Sequence, residues 1–400
     1  MAVNDLTFNQ LATVLTAITA QATGSSALAV TDTSSFITVG LTALKAGYDA
    51  LNTAISQVLS KTIFSIRPYN GKLKGMEVSE QRYGNITRKL SAIDKPVEED
   101  NRFKLVDGQS IDPFKVDKPS VLQENFYGAN VYQKRITLYK DQLDQAFTGP
   151  DQFGSFISLV MQNASDQLEQ ARETIKRSTL VNLIGAILGP YNGVTDQNVK
   201  LVTEYNAYLG LSGQSALTWA GIKGDSAQYQ RFMRFAYARI ATISAMMSER
   251  SSKFHANITG KIVMRHTPAD RQRMYMLGQE RYDMEAQVLA DAFHDNYLQY
   301  ADVETINFWQ AIGTPDAINV TPSYLVLSGA NAGNVDTGSA VSKTGIFAVL
   351  MDEDACGMTN VNEWSDTIWN PDGGYANWFF HSTGRYWNSF MENAVVFTLD

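Results

Sequence analysis

The spacing of apolar positions divides the chain into zones. Within the first 60 residues, Leu41, Leu44, Tyr48, Leu51, Ile55 and Val58 recur at helical intervals, which predicts amphipathic helix. Asp5, Asp32, Lys45 and Asp49 are the charges of that zone, so it reads as helical and adhesive. From Arg67 to Lys118 the character reverses: eleven basic and nine acidic residues mix with Gly, Pro and short β-prone pieces. Little apolar area is left there for a core of its own. The strongest local signal follows. Gly149-Pro150-Asp151 puts Pro and an acid where a helix begins, and Gly189-Pro190 stops it. Between them Phe153, Ile157, Val160, Ala164, Leu168, Ala171 and Ile175 step by three or four, and Leu180, Leu183, Ile184 and Ile187 continue the face. One helix over Asp151–Leu188 is predicted, about 57 Å long at about 1.5 Å per residue. Glu169 with Arg172, and Glu173 with Lys176 or Arg177, are read as charge pairs on its outer side.

Gly189 to Gly224 reads as turn-rich, and Phe232, Phe235, Ala236, Arg239, Ile240, Ile243, Met246 and Met247 predict a second amphipathic helix. Lys261-Ile262-Val263-Met264 reads as a short buried strand. Thr267-Pro268-Ala269-Asp270 then opens a helix, with Thr267 as cap and Pro268 in the first turn. Glu304–Trp309 and Tyr324–Leu327 are further strand candidates, and the irregular alternation favours an α+β class over a doubly wound sheet. Trp364, Trp369, Tyr375, Trp378, Phe379, Phe380, Tyr386, Trp387 and Phe390 crowd the C-terminal part, where they should close a core or an interface. Ala394–Leu399 reads as a last strand tied into a sheet.

With 400 residues and 44% hydrophobic content, the chain can bury one large core or two moderate ones. Its net charge of -8 and scattered Lys and Arg argue against sequence-specific nucleic-acid binding. Leu6 to Thr31 carries no charge, but Asn9, Gln10, Thr13, Thr16, Thr19, Gln21, Ser25 and Ser26 interrupt it, so no membrane span is expected. The start of the chain lacks the basic and apolar regions of a signal peptide. Cys356 is the single cysteine, which excludes an intrachain disulfide and a thiolate metal cluster, and a cytosolic assembly site fits.

The chemistry search is mostly negative: no Walker pattern, G-x-G-x-x-G, H-E-x-x-H, G-x-S-x-G or EF-hand loop occurs. His255, His266, His294 and His381 read as surface or satisfied core histidines, the adjacent His294-Asp295 being no orienting pair. Asp352-Glu353-Asp354 has enough carboxylates for a cation but reads as a solvated turn between strands. Cys356 beside those acids reads as a small buried apolar residue with a raised thiol pKa. No catalytic residue, metal ligand or cofactor site is assigned. The mixed-charge zone is either a solvated loop or a β-hairpin projecting across a neighbouring subunit, and its length favours the hairpin. Arg88, Lys89, Lys95, Glu98, Glu99, Asp100, Arg102 and Lys104 are its candidate inter-subunit contacts.

The order of parts resembles the HK97-fold major capsid proteins of tailed phages, an α+β fold with N-arm, extended E-loop, long spine helix, P-domain and A-domain. The segments Met351–Met358, Asn362–Ser365, Gly373–Trp378 and Arg385–Asn388, and the run from Lys261 to Phe293, are similar to those of short-tailed phages. The resemblance implies an N-terminal helical arm over 1–65, the E-loop and flanking strands over 66–135, and a P-domain over 136–230 holding the spine helix at 151–188. The A-domain would take 231–345, and C-terminal strands over 346–400 would return to the P-domain. It further implies a non-enzymatic major capsid protein that self-assembles as hexamers and pentamers into an icosahedral or prolate shell. That shell would enclose double-stranded DNA without sequence-specific binding, with assembly in the host bacterial cytoplasm. A portal protein is an implied partner. Residues 1–60 are too poor in charge for a cleaved scaffolding segment, so a separate scaffolding protein is expected. No run of short strands follows the aromatic tail as a decoration domain would, and no residue matches the namesake's crosslink. The rival readings are an encapsulin-like cargo shell and, from the aromatic and acidic content, a carbohydrate-active enzyme.

Overall fold

The computed structural model describes residues 8–24, 30–47, 49–55, 71–78, 86–93, 95, 97–100, 102, 106–108, 110, 114, 116, 118–127, 130–147, 149–189, 194–289 and 302–400. Tyr48, Val58, Arg67, Lys104, His294 and Asp295, and the side chains of Ile157, Val160 and Ala164, lie outside that description.

The N-terminal zone forms α1 (Phe8–Thr23) and α2 (Thr33–Lys45), and residues 49–55 are helical as well. A reciprocal cap starts α2, with Ser35 N donating to the Asp32 carboxylate at 2.7 Å and Asp32 N donating to Ser35 Oγ at 2.8 Å. Threonines fit inside α1 because Thr13, Thr16, Thr19 and Thr23 each donate back to the carbonyl four residues earlier. Next come β1 (Glu77–Val78), β2 (Ile86–Ala92), β3 (Val121–Tyr127), β4 (Asn130–Tyr139) and α3 (Lys140–Ala146). The long helix α4 is one element of 39 residues, Pro150–Leu188, as its apolar spacing predicts. It is followed by β5 (Asn198–Lys200), α5 (Leu201–Leu209), α6 (Trp219–Gly224), α7 (Ser226–Met247), β6 (Gln272–Leu277), α8 (Gly278–Leu289) and β7 (Asp302–Ile306). The short strands β8 (Ile318–Val320), β9 (Ser323–Leu325), β10 (Val335–Thr337) and β11 (Val341–Lys343) pair as β8 with β11 and β9 with β10. The chain closes through β12 (Ile346–Asp352), β13 (Cys356–Asn370), β14 (Tyr375–Asn388) and β15 (Ala394–Thr398).

Two sheets organise this content. In the four-stranded sheet β1-β13-β14-β4, alternate residues of β14 face opposite ways, and Ala376, Trp378 and Phe380 take the buried side. They share one core with Leu138, Phe147 and Phe153, and with Leu15, Ile18, Phe36, Leu51 and Ile55 of the N-terminal zone. Burial of such a side chain contributes about 1.5–3 kcal/mol. The charge-poor zone thus packs much of its apolar face on the sheet of its own chain, although Leu41 of the predicted stripe is 50% exposed. In the five-stranded sheet β5-β15-β12-β6-β7, all seven residues of β12 are buried. Phe347 and Leu350 pack toward α5 and α7, whereas Ile346, Val349 and Met351 pack toward the second half of α4. A strand covered on both faces reads as a continuous apolar run, which is the pattern Ile346–Met351 shows.

Four expectations are corrected. Lys261–Met264 is no strand: isolated bridges flank it, and Ile262 is 55% exposed. The neighbouring run that becomes a strand is β6, which has ladder partners on both edges, β12 and β7. Thr267–Asp270 opens no helix, only a single 3-10 turn at Ala269–Arg271. Thr267 is buried and its hydroxyl donates to Asp352 at 2.7 Å, so it serves a tertiary bond instead of a cap. Gly189–Gly224 holds α5 and α6. Glu173 and Lys176 lie buried and not on an outer side, since Lys176 pairs with Glu77 while Glu173 takes Arg177 at 2.6 Å.

Candidate assembly surface

The mixed-charge zone contains an antiparallel pair, β2 with β3, running in register from Ile86 opposite Tyr127 to Ala92 opposite Val121. Ile93 N donates to Ser120 O at 2.9 Å and extends the ladder one step. Beyond that point every described residue from Lys95 to Ser120 is exposed. Three of them are sizeable apolar side chains, Val97 at 99%, Phe114 at 85% and Val116 at 77% exposure. Each of these side chains is open to solvent and accessible to a partner.

The root of the pair is held by polar groups. The period of two along β3 turns Leu122, Glu124 and Phe126 toward the body and their neighbours outward. Leu122 packs on Ile258, Val263 and Met391. Lys89 Nζ lies 2.6 Å from Glu392, and Arg265 reaches Glu392 at 3.0 Å and Ser91 Oγ at 2.7 Å. Ser389 Oγ donates to the Glu124 carboxylate at 3.1 Å. Burial pushes the Glu124 carboxyl up, opposed in turn by Lys89 and Ser389 and assisted by Glu392.

The structure distributes the candidate contact residues unevenly. Arg88, Lys95, Glu98, Glu99, Asp100 and Arg102 are exposed, and Lys104 lies outside the description. Arg102 turns back on Asp100, with N–O distances of 2.9 Å from Nε and 2.6 Å from Nη2, and holds that carboxyl below its usual range. Lys89 faces its own body through Glu392. Glu124, Arg265, Ser389 and Glu392 were missed by sequence reasoning, although the alternation of β3 is a signal that places Glu124 on the buried face.

The remaining candidate chemistry is structural. His255 is buried with Nε2 2.7 Å from Val263 O and Nδ1 3.0 Å from Asn393 Oδ1, and burial lowers its pKa. His266 is exposed, and His381 stacks on Trp364 with ring centroids 3.8 Å apart. The Cys356 thiol is buried and its pKa raised by that burial, not by the acids before it. The turn between β12 and β13 is bonded as well as solvated: Arg271 reaches Glu353 at 2.7 Å and Asp354 at 3.0 Å. Among the described residues no group of three or more His, Cys, Asp or Glu is placed to hold a metal ion, and no helix is long and apolar enough to cross a membrane.

Comparison with known proteins gives this geometry its context. A family model described as Phi29-like phage major capsid protein matches residues 14–398. The fold is similar to that of a chain in the capsid structure of Staphylococcus phage Andhra, with a TM-score of 0.54 and 12% identity over 83% of this chain and 85% of that one. It is also similar to a chain in the structure of the head fiber and inner core protein gp22 of native bacteriophage P68, with a TM-score of 0.54 and 12% identity over 84% and 86%. No curated protein matches the chain. Identities this low speak for the fold alone, a mixed helix and sheet architecture of the phage capsid type. The family match spans both sheets, α4 and the β2–β3 pair. The chain therefore belongs to the Phi29-like phage major capsid protein family, a class of non-enzymatic structural proteins that form the shell of the virion.

Proposed function

We propose that this capsid protein closes its shell by laying the β2–β3 hairpin, as an E-loop, over an adjacent copy within hexamers and pentamers. The observation that carries the reading is the complete exposure of the described residues from Lys95 to Ser120, Val97, Phe114 and Val116 included. Exposed as they are, those side chains bury little area in their own chain, whereas burial against a neighbour would contribute about 1.5–3 kcal/mol each. In this reading 1–65 is the N-arm, 66–135 the E-loop with its flanking strands, and 136–230 the P-domain with α4 as spine. Residues 231–345 form the A-domain, and 346–400 return to the P-domain. Arg88, Lys95, Glu98, Glu99, Asp100, Arg102 and Lys104 supply charge complementarity at the contact, while Lys89 works at the root.

The shell, icosahedral or prolate, encloses double-stranded DNA without sequence-specific binding and is built in the host bacterial cytoplasm with a separate scaffolding protein and a portal protein. The excess of 41 acidic over 33 basic residues supports a container that does not grip its genome. Replacing residues 95–118 with a short Gly-containing turn tests the contact, because Ile93 and Ser120 already meet. The expected product is a folded subunit, native by circular dichroism, that forms no shells by negative-stain microscopy. Shells of normal form would reject the assignment.

A further inference from the structure

Within one chain the hairpin meets the body through Lys89 and Ser91 of β2 and Leu122 and Glu124 of β3. Facing them are Arg265, and Ser389 and Glu392 from the turn between β14 and β15. Asp354, from the turn between β12 and β13, lies 4.0 Å from Lys89 and is shared with Arg271. Lys89 and Arg265 thus meet Glu124 and Glu392 at the root, with Asp354 at its edge, and Glu124 and Glu392 do different things. Glu392 is 6% exposed and receives both Lys89 and Arg265, so it ties β2 to the body directly and through its neighbour. Glu124 enters the same site from β3, and its hydrogen-bond partner from the body is the neutral hydroxyl of Ser389. A carboxylate that loses water on closure and receives a neutral donor is costly to bury; Lys89, Ser389 and Arg265 offset that cost only in part, and Glu392 adds like-charge repulsion.

We propose that the hairpin root is a charge latch in which Glu392 fastens the hairpin to the body while the Glu124 carboxylate opposes closure, leaving the hairpin able to swing on its own subunit. The latch belongs to a single chain and does not rest on where the hairpin tip lands. Its pH response follows from the direction of the Glu124 perturbation. Burial raises the carboxyl above its open-state value, so closure takes up a proton. The closed state gains as pH falls through the raised value toward the open-state one, and opening gains as pH rises through it. Lys89, Arg265, Glu392 and Asp354 are the charged groups facing Glu124 or its immediate partners, Ser389 is the neutral one, and the buried His255 interacts with Arg265 and Glu392 from behind the root, so the pH profile is compared with that of His255→Gln.

Hydrogen exchange of the full-length unassembled subunit, corrected for intrinsic exchange between pH 5.5 and 7.5, separates the two roles. Glu124→Gln should raise protection of 86–92 and 121–127 about tenfold and flatten its pH dependence. Glu392→Gln should lower it, and Lys89→Met should do the same from the hairpin side if Glu392→Gln fails to fold. Protection of β12, whose seven residues are all buried, serves as the reference in each case. Equal loss of protection in Glu124→Gln and Lys89→Met would overturn the proposal by making the cluster one cooperative clamp. Hairpin protection unchanged by Glu124→Gln would overturn it as well.

Discussion

Trp378 and Asn52 are both fully buried, one on β14 and the other in the helical segment 49–55, and the indole N–H donates to Asn52 Oδ1 at 3.1 Å. Asn52→Leu roughly keeps the volume but strands the indole N–H in a dry core, at about 1–3 kcal/mol. Trp378→Phe removes the donor, leaves the Asn52 oxygen without it and opens a cavity, for about 2 kcal/mol or more. With Leu at 52 and Phe at 378, neither polar group remains to be stranded. The double variant should therefore fall short of the sum of the singles by about 1–2 kcal/mol. Urea unfolding of the unassembled subunit, followed by far-UV circular dichroism at one low protein concentration, reads all four corners of the cycle. A neutral Asn52→Leu, or strict additivity, would refute the claim that the N-terminal zone is bolted to the C-terminal sheet of its own chain.

Leu168→Pro should cost about 3 kcal/mol or more, because it deletes a backbone bond inside the unbroken α4 and clashes one turn back; an unchanged urea midpoint would deny that α4 is continuous there. Gly357→Ala should destabilise by about 1–3 kcal/mol, since its new Cβ would lie 2.3 Å from the Trp387 ring, and thermal melting that does not shift would show the ring to be free to move. Burial lowers the His255 pKa, so the unfolded chain binds its proton more readily. Stability should fall as pH drops below about 6.5, with a shallower slope in His255→Gln; identical slopes would remove His255 as the cause. Unassembled subunits should bind duplex DNA poorly at physiological salt, and tight binding that weakens steeply with added salt would contradict the container reading.

What was legible in the sequence was local. The Gly-Pro-Asp start and the three-to-four spacing specify α4 because a helix is bonded within itself and its boundaries depend on nearby residues. The same holds for α7, and the apolar run at Ala394–Leu399 foretold β15. The choice of partners was not legible. Apolar stripes at Leu15, Phe36 and Leu51 announce that something must cover them, but hydrophobic attraction has no direction, and the cover turns out to be Trp378 and Phe380 more than 300 residues away. Thr267-Pro268-Ala269-Asp270 carries good local helix chemistry, yet β6 forms immediately after it because β12 and β7 offer ladders on both sides. Lys176 looked like a surface charge until the chain around Glu77 closed over it. At the hairpin root, the alternation of β3 announces that Glu124 faces inward, but its neighbours Glu392 and Ser389 come from a turn some 265 residues later. Periodicity decides which side of an element is hidden; only the closing of distant segments decides what it is hidden against, and with it the charge balance at that contact.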